Sequence, residues 1–361
     1  MNDATRIFDE IDTDGNDTIE DSELLVHLLS QGVDEKVIPA LFRALDVNSD
    51  GSLSFHSDGY VREAATRALA RVSSGDEVPF LLIRANDWVA QVRDVAREAL
   101  QARVSQGQVA AFVRSLPLVA RLRDCGRANH DGLANSIEEV LGSGDADQEL
   151  FEGFHSKDRF TRRACARIAV AYKRSHLCER ALSSSDSIVR LFSAKFLLAE
   201  RSASAACELS AKLADDRFVS IRQEAMRTVV EHRPANLQKR LEARLLDRSL
   251  AVRRLAGYYA KKRFDIDLAD FYRSRLSSSS GPLISACVVG LGEHGQREDA
   301  AHLVSYVTDG TSRVRRAAIR AVAALDFESH VDLIRDAIRS ERPGVSREAS
   351  LVLQRRHASV A

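Results

Sequence analysis

The chain has 361 residues, of which 45% are hydrophobic, 29% charged and 6% aromatic. It contains no run of 18 apolar residues, so no membrane span is expected, and its five cysteines form no CxxC pair, so neither a disulfide framework nor a zinc ribbon is suggested. The 52 basic and 52 acidic residues cancel overall, yet residues 1–60 hold 14 acidic against 3 basic residues, a net of −11, which leaves +11 on residues 61–361. The opening MNDATRIFDE has no basic segment and no apolar run, so no secretory signal is expected and the cytoplasm is the default location.

Residues 4–11 can form a short helix with Ile7, Phe8 and Ile11 on one side. The loop that follows, residues 12–23, places oxygen-bearing side chains at positions 1, 3, 5, 9 and 12: Asp12, Asp14, Asn16, Glu20 and Glu23. Thr18, at position 7, offers its backbone carbonyl, and Ile19 is the apolar residue that pairs two such loops. A hard cation such as calcium takes six to eight oxygens, the last glutamate supplying both of its own. In this spacing the loop resembles the calcium loop of the EF-hand family. Asp17 stands where that family has glycine, a position that needs positive φ; aspartate tolerates it better than most residues, so a weakened affinity is expected.

A second loop begins 34 residues later, with Asp46, Asn48, Asp50 and Ser52 as its candidate ligands, Gly51 at the turn and Leu53 at the pairing position. Its twelfth residue is Ser57, so the bidentate carboxylate is missing and this loop is expected to bind metal weakly or not at all. Leu24, Leu25, Leu28 and Leu29, then Val37, Leu41, Phe42 and Leu45, supply apolar faces for the helices between the loops. The resemblance implies an EF-hand pair over residues 1–59, Ca2+ as the cofactor, and a minute strand pair through Ile19 and Leu53.

From residue 60 a different pattern takes over. Its clearest copy is residues 309–322, DGTSRVRRAAIRAV, where Val314, Ala318 and Val322 line one face of a helix. Positions 222, 253, 284, 315 and 346 follow a fixed step of 31 residues; Arg222, Arg253 and Arg315 keep an arginine, and Ile284 and Ser346 replace it. The preceding position is apolar at Ile221, Val252, Leu283, Val314 and Val345, and three residues on comes a small side chain: Ala225, Ala256, Cys287, Ala318 and Ala349. Arg62 and Arg93 repeat the step upstream, and Arg163 and Arg190 are weaker copies. An aspartate lies six residues before the arginine at Asp87, Asp216, Asp247 and Asp309.

A fixed period near 30 residues marks a stacked array of helix pairs. In these residues the chain resembles the HEAT repeats, in the short form of bilin-lyase-like proteins. That resemblance implies an all-α fold in which the EF-hand pair is followed by a right-handed alpha-alpha superhelix over residues 60–361, irregular at about 104–150, with the aspartates and arginines forming a ladder between repeats. Cys165 and Cys287 are expected as small core residues.

No catalytic residue is predicted. Glu231-His232 and Glu293-His294 read as solvated helix ends, and there is no nucleophile elbow, phosphate loop or zinc motif. The reading that follows is a calcium-binding scaffold or adaptor that grips a protein partner on the solenoid surface, with calcium as a possible regulator. Arginine clusters such as Arg313, Arg315, Arg316 and Arg320 leave open a nucleic-acid or phosphate-binding solenoid. A lyase-type enzyme related to the bilin lyases is the third alternative.

Overall fold

Helices joined by short turns make up the described residues, among which no strand occurs. The structure, a computed structural model, describes residues 52–278 and 281–358. They form two compact units that divide between Leu197 and Leu198.

The first unit opens with a 3-10 turn at Ser52–Phe55 and helix α1 (Gly59–Leu69), whose first turn is capped by the Asp58 carboxylate accepting the Tyr60 N–H at 2.8 Å. Then come α2 (Val78–Arg84), α3 (Ala90–Ser105), α4 (Val109–Leu122), α5 (Asp131–Gly142), α6 (Asp147–Gly153), α7 (Arg159–Ala171) and α8 (Ser175–Ala181). The division falls within α9 (Ser187–Glu200). The second unit holds α10 (Ala203–Leu213), α11 (Val219–His232), α12 (Leu237–Leu245), α13 (Leu250–Phe264), α14 (Leu268–Ser278) and α15 (Pro282–His294). It ends with α16 (Ser305–Thr308), α17 (Ser312–Asp336), which changes direction at the non-helical Asp326, and α18 (Pro343–Ala358). Leu53, expected in a strand pair with Ile19, lies in the 3-10 turn; Ile19 is outside the described residues.

A shorter helix followed by a longer one is the recurring unit: α10 packs on α11, α12 on α13 and α14 on α15. The apolar stripe of each longer helix points inward. Val92, Ala96 and Leu100 of α3 are fully buried, as are Val252, Ala256 and Ala260 of α13. The small residue of the repeat is buried at Ala65, Ala96, Ala225, Ala256, Cys287, Ala318 and Ala349, which lets neighbouring backbones approach. The same approach explains Gly292: a Cβ there would lie 2.4 Å from the Ala321 Cβ, so α15 and α17 meet nearly backbone to backbone. Cys165 is likewise a core residue, and burial pushes its thiol up to about 12.

Directionality comes from arginine. Near the start of six longer helices an arginine donates Nη1 to the carbonyl oxygen six residues earlier. In the first unit these pairs are Arg62 to His56 (2.9 Å), Arg93 to Asp87 (2.7 Å), Arg162 to Ser156 (2.7 Å) and Arg190 to Ser184 (2.8 Å). In the second they are Arg222 to Asp216 (2.8 Å) and Arg253 to Asp247 (2.9 Å). In two of these arginines, Arg62 and Arg222, Nε and Nη2 also grip the carboxylate of an aspartate 25 residues further on with two bonds. Arg62 holds Asp87 at 2.9 and 2.9 Å, and Arg222 holds Asp247 at 2.9 and 2.8 Å. The aspartate also accepts the N–H two residues on, from Val89 and Ser249, and so fixes the start of its own helix. The expected ladder therefore exists. The interval of six is spanned by the aspartate's carbonyl, and its carboxylate serves the preceding repeat.

Three positions depart from the sequence reading. Arg162, not Arg163, makes the carbonyl contact, with the buried Thr161 in the place of the apolar residue; Arg162 and Arg163 then share Asp186, each at 3.2 Å. Arg315, in the clearest copy, is not a rung: its Nε donates to the Val307 carbonyl at 2.9 Å, and Asp309 is exposed. Leu283 is 44% exposed instead of buried, because α15 enters through Gly281 and Pro282 with no arginine at 284 to hold the frame.

Burial would raise the Asp87 carboxyl, but the Arg62 guanidinium, the Val89 N–H and Arg84 outweigh it and hold the pKa below the usual carboxylate range. The charged form is thus favoured by folding: this contribution is complete above the unfolded value of about 3.9 and is lost as pH falls through the lower folded value. Stability measured by urea midpoint is expected to fall below about pH 4, and Asp87→Asn should flatten that dependence. Asp247→Asn, which strands Arg222 at 3% exposure, is expected to cost about 3–5 kcal/mol at neutral pH in the same measurement.

Candidate functional site

Two places hold candidate functional residues: the oxygen-rich loops of the N-terminal segment, and a basic groove on the second unit. Asp12, Asp14, Asn16, Thr18, Glu20, Glu23, Asp46, Asn48 and Asp50 lie outside the described residues. The donor set itself is all oxygen, with four carboxylates in the first loop and two in the second, which suits a hard divalent cation and grades the first loop above the second. Ser52 begins the 3-10 turn.

The end of the second loop is described, and it is tied to the repeats. Arg62 donates Nη1 to the carbonyls of both His56 and Ser57, at 2.9 and 2.8 Å, while its other nitrogens hold Asp87. The Asp58 N–H donates to His56 Nδ1 at 3.0 Å and its carboxylate caps α1. The Phe55 ring lies edge-on to Phe80, with the Arg84 guanidinium 5.0 Å from its centroid. The first rung and the end of the second loop therefore share one arginine. Sequence spacing did not reveal this, because the contacts go to carbonyls that no residue type encodes.

In the second unit two cavities adjoin. One, of about 680 Å³, is lined by Arg222, Arg244, Arg248, Arg275 and Arg313 with Asp215, Glu242 and Asp247 among them. The other, of about 420 Å³, is lined by Arg248, Arg253, Arg313 and Arg320, with Glu293 and the apolar Leu250 and Val289. Arg248 and Arg313 belong to both, are exposed, and make no ion pair among the described residues. Several of the acids are occupied: Asp247 by Arg222, and Glu293 by Arg254 at 3.0 Å. Arg320 pairs with Glu348 at 2.5 Å. The lining thus holds more arginines than carboxylates, with Leu250 and Val289 beside them.

Other arginines are structural, and sequence reasoning missed the most buried of them. Arg103, 3% exposed, bonds Glu77 at 2.6 Å and donates to the Leu69 and Ala70 carbonyls at the end of α1. The signal was present as a glutamate 26 residues before an arginine, but it lies outside the 31-residue frame. Glu293 and His294 are exposed as expected of a helix end, although the His294 ring also stacks on Tyr272 with an interplanar angle of 3°.

The family model described as an EF-hand domain pair matches residues 1–56. No curated protein matches this chain. A solved structure from work on tubulin recruitment and assembly by microtubule polymerases with tumor overexpressed gene (TOG) domain arrays is similar over 84% of this chain and 82% of that one, at 12% identity and a TM-score of 0.23.

The first loop is expected to bind one calcium ion with a dissociation constant on the order of micromolar or weaker. Glu23→Gln removes one oxygen of the bidentate pair and should weaken binding at least about tenfold in titration calorimetry; an unchanged affinity would show that the ligand set is misassigned.

Proposed function

We propose that this protein is a calcium-binding helical scaffold that holds a partner protein by an acidic segment laid in the basic groove of the second unit. The observation that carries this reading is the pair of adjoining cavities sharing Arg248 and Arg313, two exposed arginines with no carboxylate partner among the described residues, Arg248 donating only to the Asp216 carbonyl at 3.0 Å. Cavities of about 680 and 420 Å³ are of the size that takes peptide side chains. Guanidinium groups suit carboxylates because a planar fork meets two oxygens at once. Leu250, Leu283 and Val289 add apolar surface for the stem of an acidic side chain or for a neighbouring aliphatic one.

Calcium enters through the N-terminal loops. Each bound ion removes two units of negative charge from a segment of net −11, so its electrostatic competition for basic surfaces falls. Regulation of partner binding by calcium is therefore part of the proposal, and the scaffold works in the cytoplasm. Its repeats are of the short HEAT type, and the same repeat resemblance to bilin lyases is read as shared architecture.

The test uses an array of peptides of graded acidity and a random-sequence duplex DNA, each at 150 mM salt with calcium or a chelator. Peptides rich in Asp and Glu are expected to bind, and the double variant Arg248→Glu/Arg313→Glu is expected to lose them with an unchanged melting temperature. Duplex DNA should bind no tighter than the non-specific range of about 10⁻⁴–10⁻⁶ M. Tight DNA binding that falls steeply with salt, together with no peptide binding, would turn the assignment to a nucleic-acid-binding solenoid.

A further inference from the structure

We infer that Arg253 is an open rung of the arginine ladder and that it takes a carboxylate from the acidic segment of the partner, an inference that rests on the scaffold reading above. Arg253 follows Arg222 by 31 residues and makes the same inner contact, Nη1 to the Asp247 carbonyl at 2.9 Å. The outer contact is what it lacks. Arg62 and Arg222 each find an aspartate 25 residues on, in the turn after a shorter helix, whereas the corresponding residue for Arg253 is Ser278, the last residue of α14. The following repeat also lacks its own arginine, with Ile284 in that place.

Arg253 is only 7% exposed, its Nε has no hydrogen-bond partner, and it makes no ion pair among the described residues. Burial pushes its pKa down, against the weaker pull of Tyr272, Glu293 and Asp247. Leaving a buried charge without a counter-ion is costly, by several kcal/mol per ion. The side chain lines the smaller cavity, which is open to solvent beside Arg248 and Arg313. The unsatisfied part of the guanidinium is the edge that elsewhere in this chain receives a carboxylate with two bonds. Among the described residues the one acid lining that cavity, Glu293, already serves Arg254. Leu250 and Val289 suit the methylene stem of a glutamate.

The test is titration calorimetry of the full calcium-loaded chain with a capped hexaglutamate peptide at fixed ionic strength. Two variants address the rung from opposite sides. Arg253→Met removes the cation but keeps its apolar bulk, and Ser278→Asp supplies the missing carboxylate in cis. Both are expected to weaken peptide binding at least tenfold, and Ser278→Asp is also expected to raise the melting temperature by a few degrees. Should Arg253→Met fail to fold, Ser278→Asp decides alone. Binding that both variants leave unchanged would overturn the open rung and spare the scaffold reading. Absence of binding by the wild type to hexaglutamate and to every acidic array peptide overturns both. Inorganic phosphate that displaces the peptide at equal concentration overturns the carboxylate assignment.

Discussion

A guanidinium fixed on two sides is the interaction on which the array depends. Each ladder arginine reaches six residues back to a carbonyl of its own repeat, and Arg62 and Arg222 also reach 25 residues forward to the carboxylate that starts the next. Those two reaches close on the 31-residue period read from the sequence. Hydrophobic burial alone would not set that period, because it is non-directional and tolerates sliding of one helix pair over another. A buried two-pronged ion pair is weak evidence for net stability. Its contribution here is register: only one spacing lets the fork, the carbonyl and the carboxylate meet.

That division of labour explains what could be read from the residues. The all-helical array, the buried stripe of Val92, Ala96 and Leu100, and the small residues at contact points are encoded by residue type at helical spacing, and periodicity reveals them. Arg315 shows the limit. Its local sequence is the most complete copy, yet it bonds Val307, because a rung needs a partner one repeat away and a count within one repeat cannot see it. Arg162 was displaced by one residue for the same reason: two adjacent arginines satisfy the pattern almost equally, and the carbonyl of Ser156 chooses between them. Leu283 keeps the apolar residue of the frame, yet it is 44% exposed in the repeat where the arginine and the aspartate are both missing.

For the functional residues the balance is different. The candidate calcium ligands can be proposed from sequence alone because coordination places oxygen side chains at fixed steps along one loop. The basic groove cannot, since Arg248 and Arg253 around the start of α13 and Arg313 at the start of α17 are about two repeats apart and acquire meaning only when packing brings them to one cavity. Composition hints at it through 44 arginines against 8 lysines, yet most of those arginines serve carbonyls and carboxylates inside the array. Separating the spare cations from the employed ones required the hydrogen bonds.

Each repeat that keeps both residues carries the halves of two different joints: an arginine that closes the joint ahead and an aspartate that closes the joint behind. A copied stretch of one period would therefore arrive with a socket and a plug already matched to its neighbours, and would need no new contact to be joined in. An array built this way can lengthen by tandem duplication without renegotiating its interfaces. Losing one partner at a single joint, as Ser278 does, alters one interval and leaves the chemistry of the others untouched.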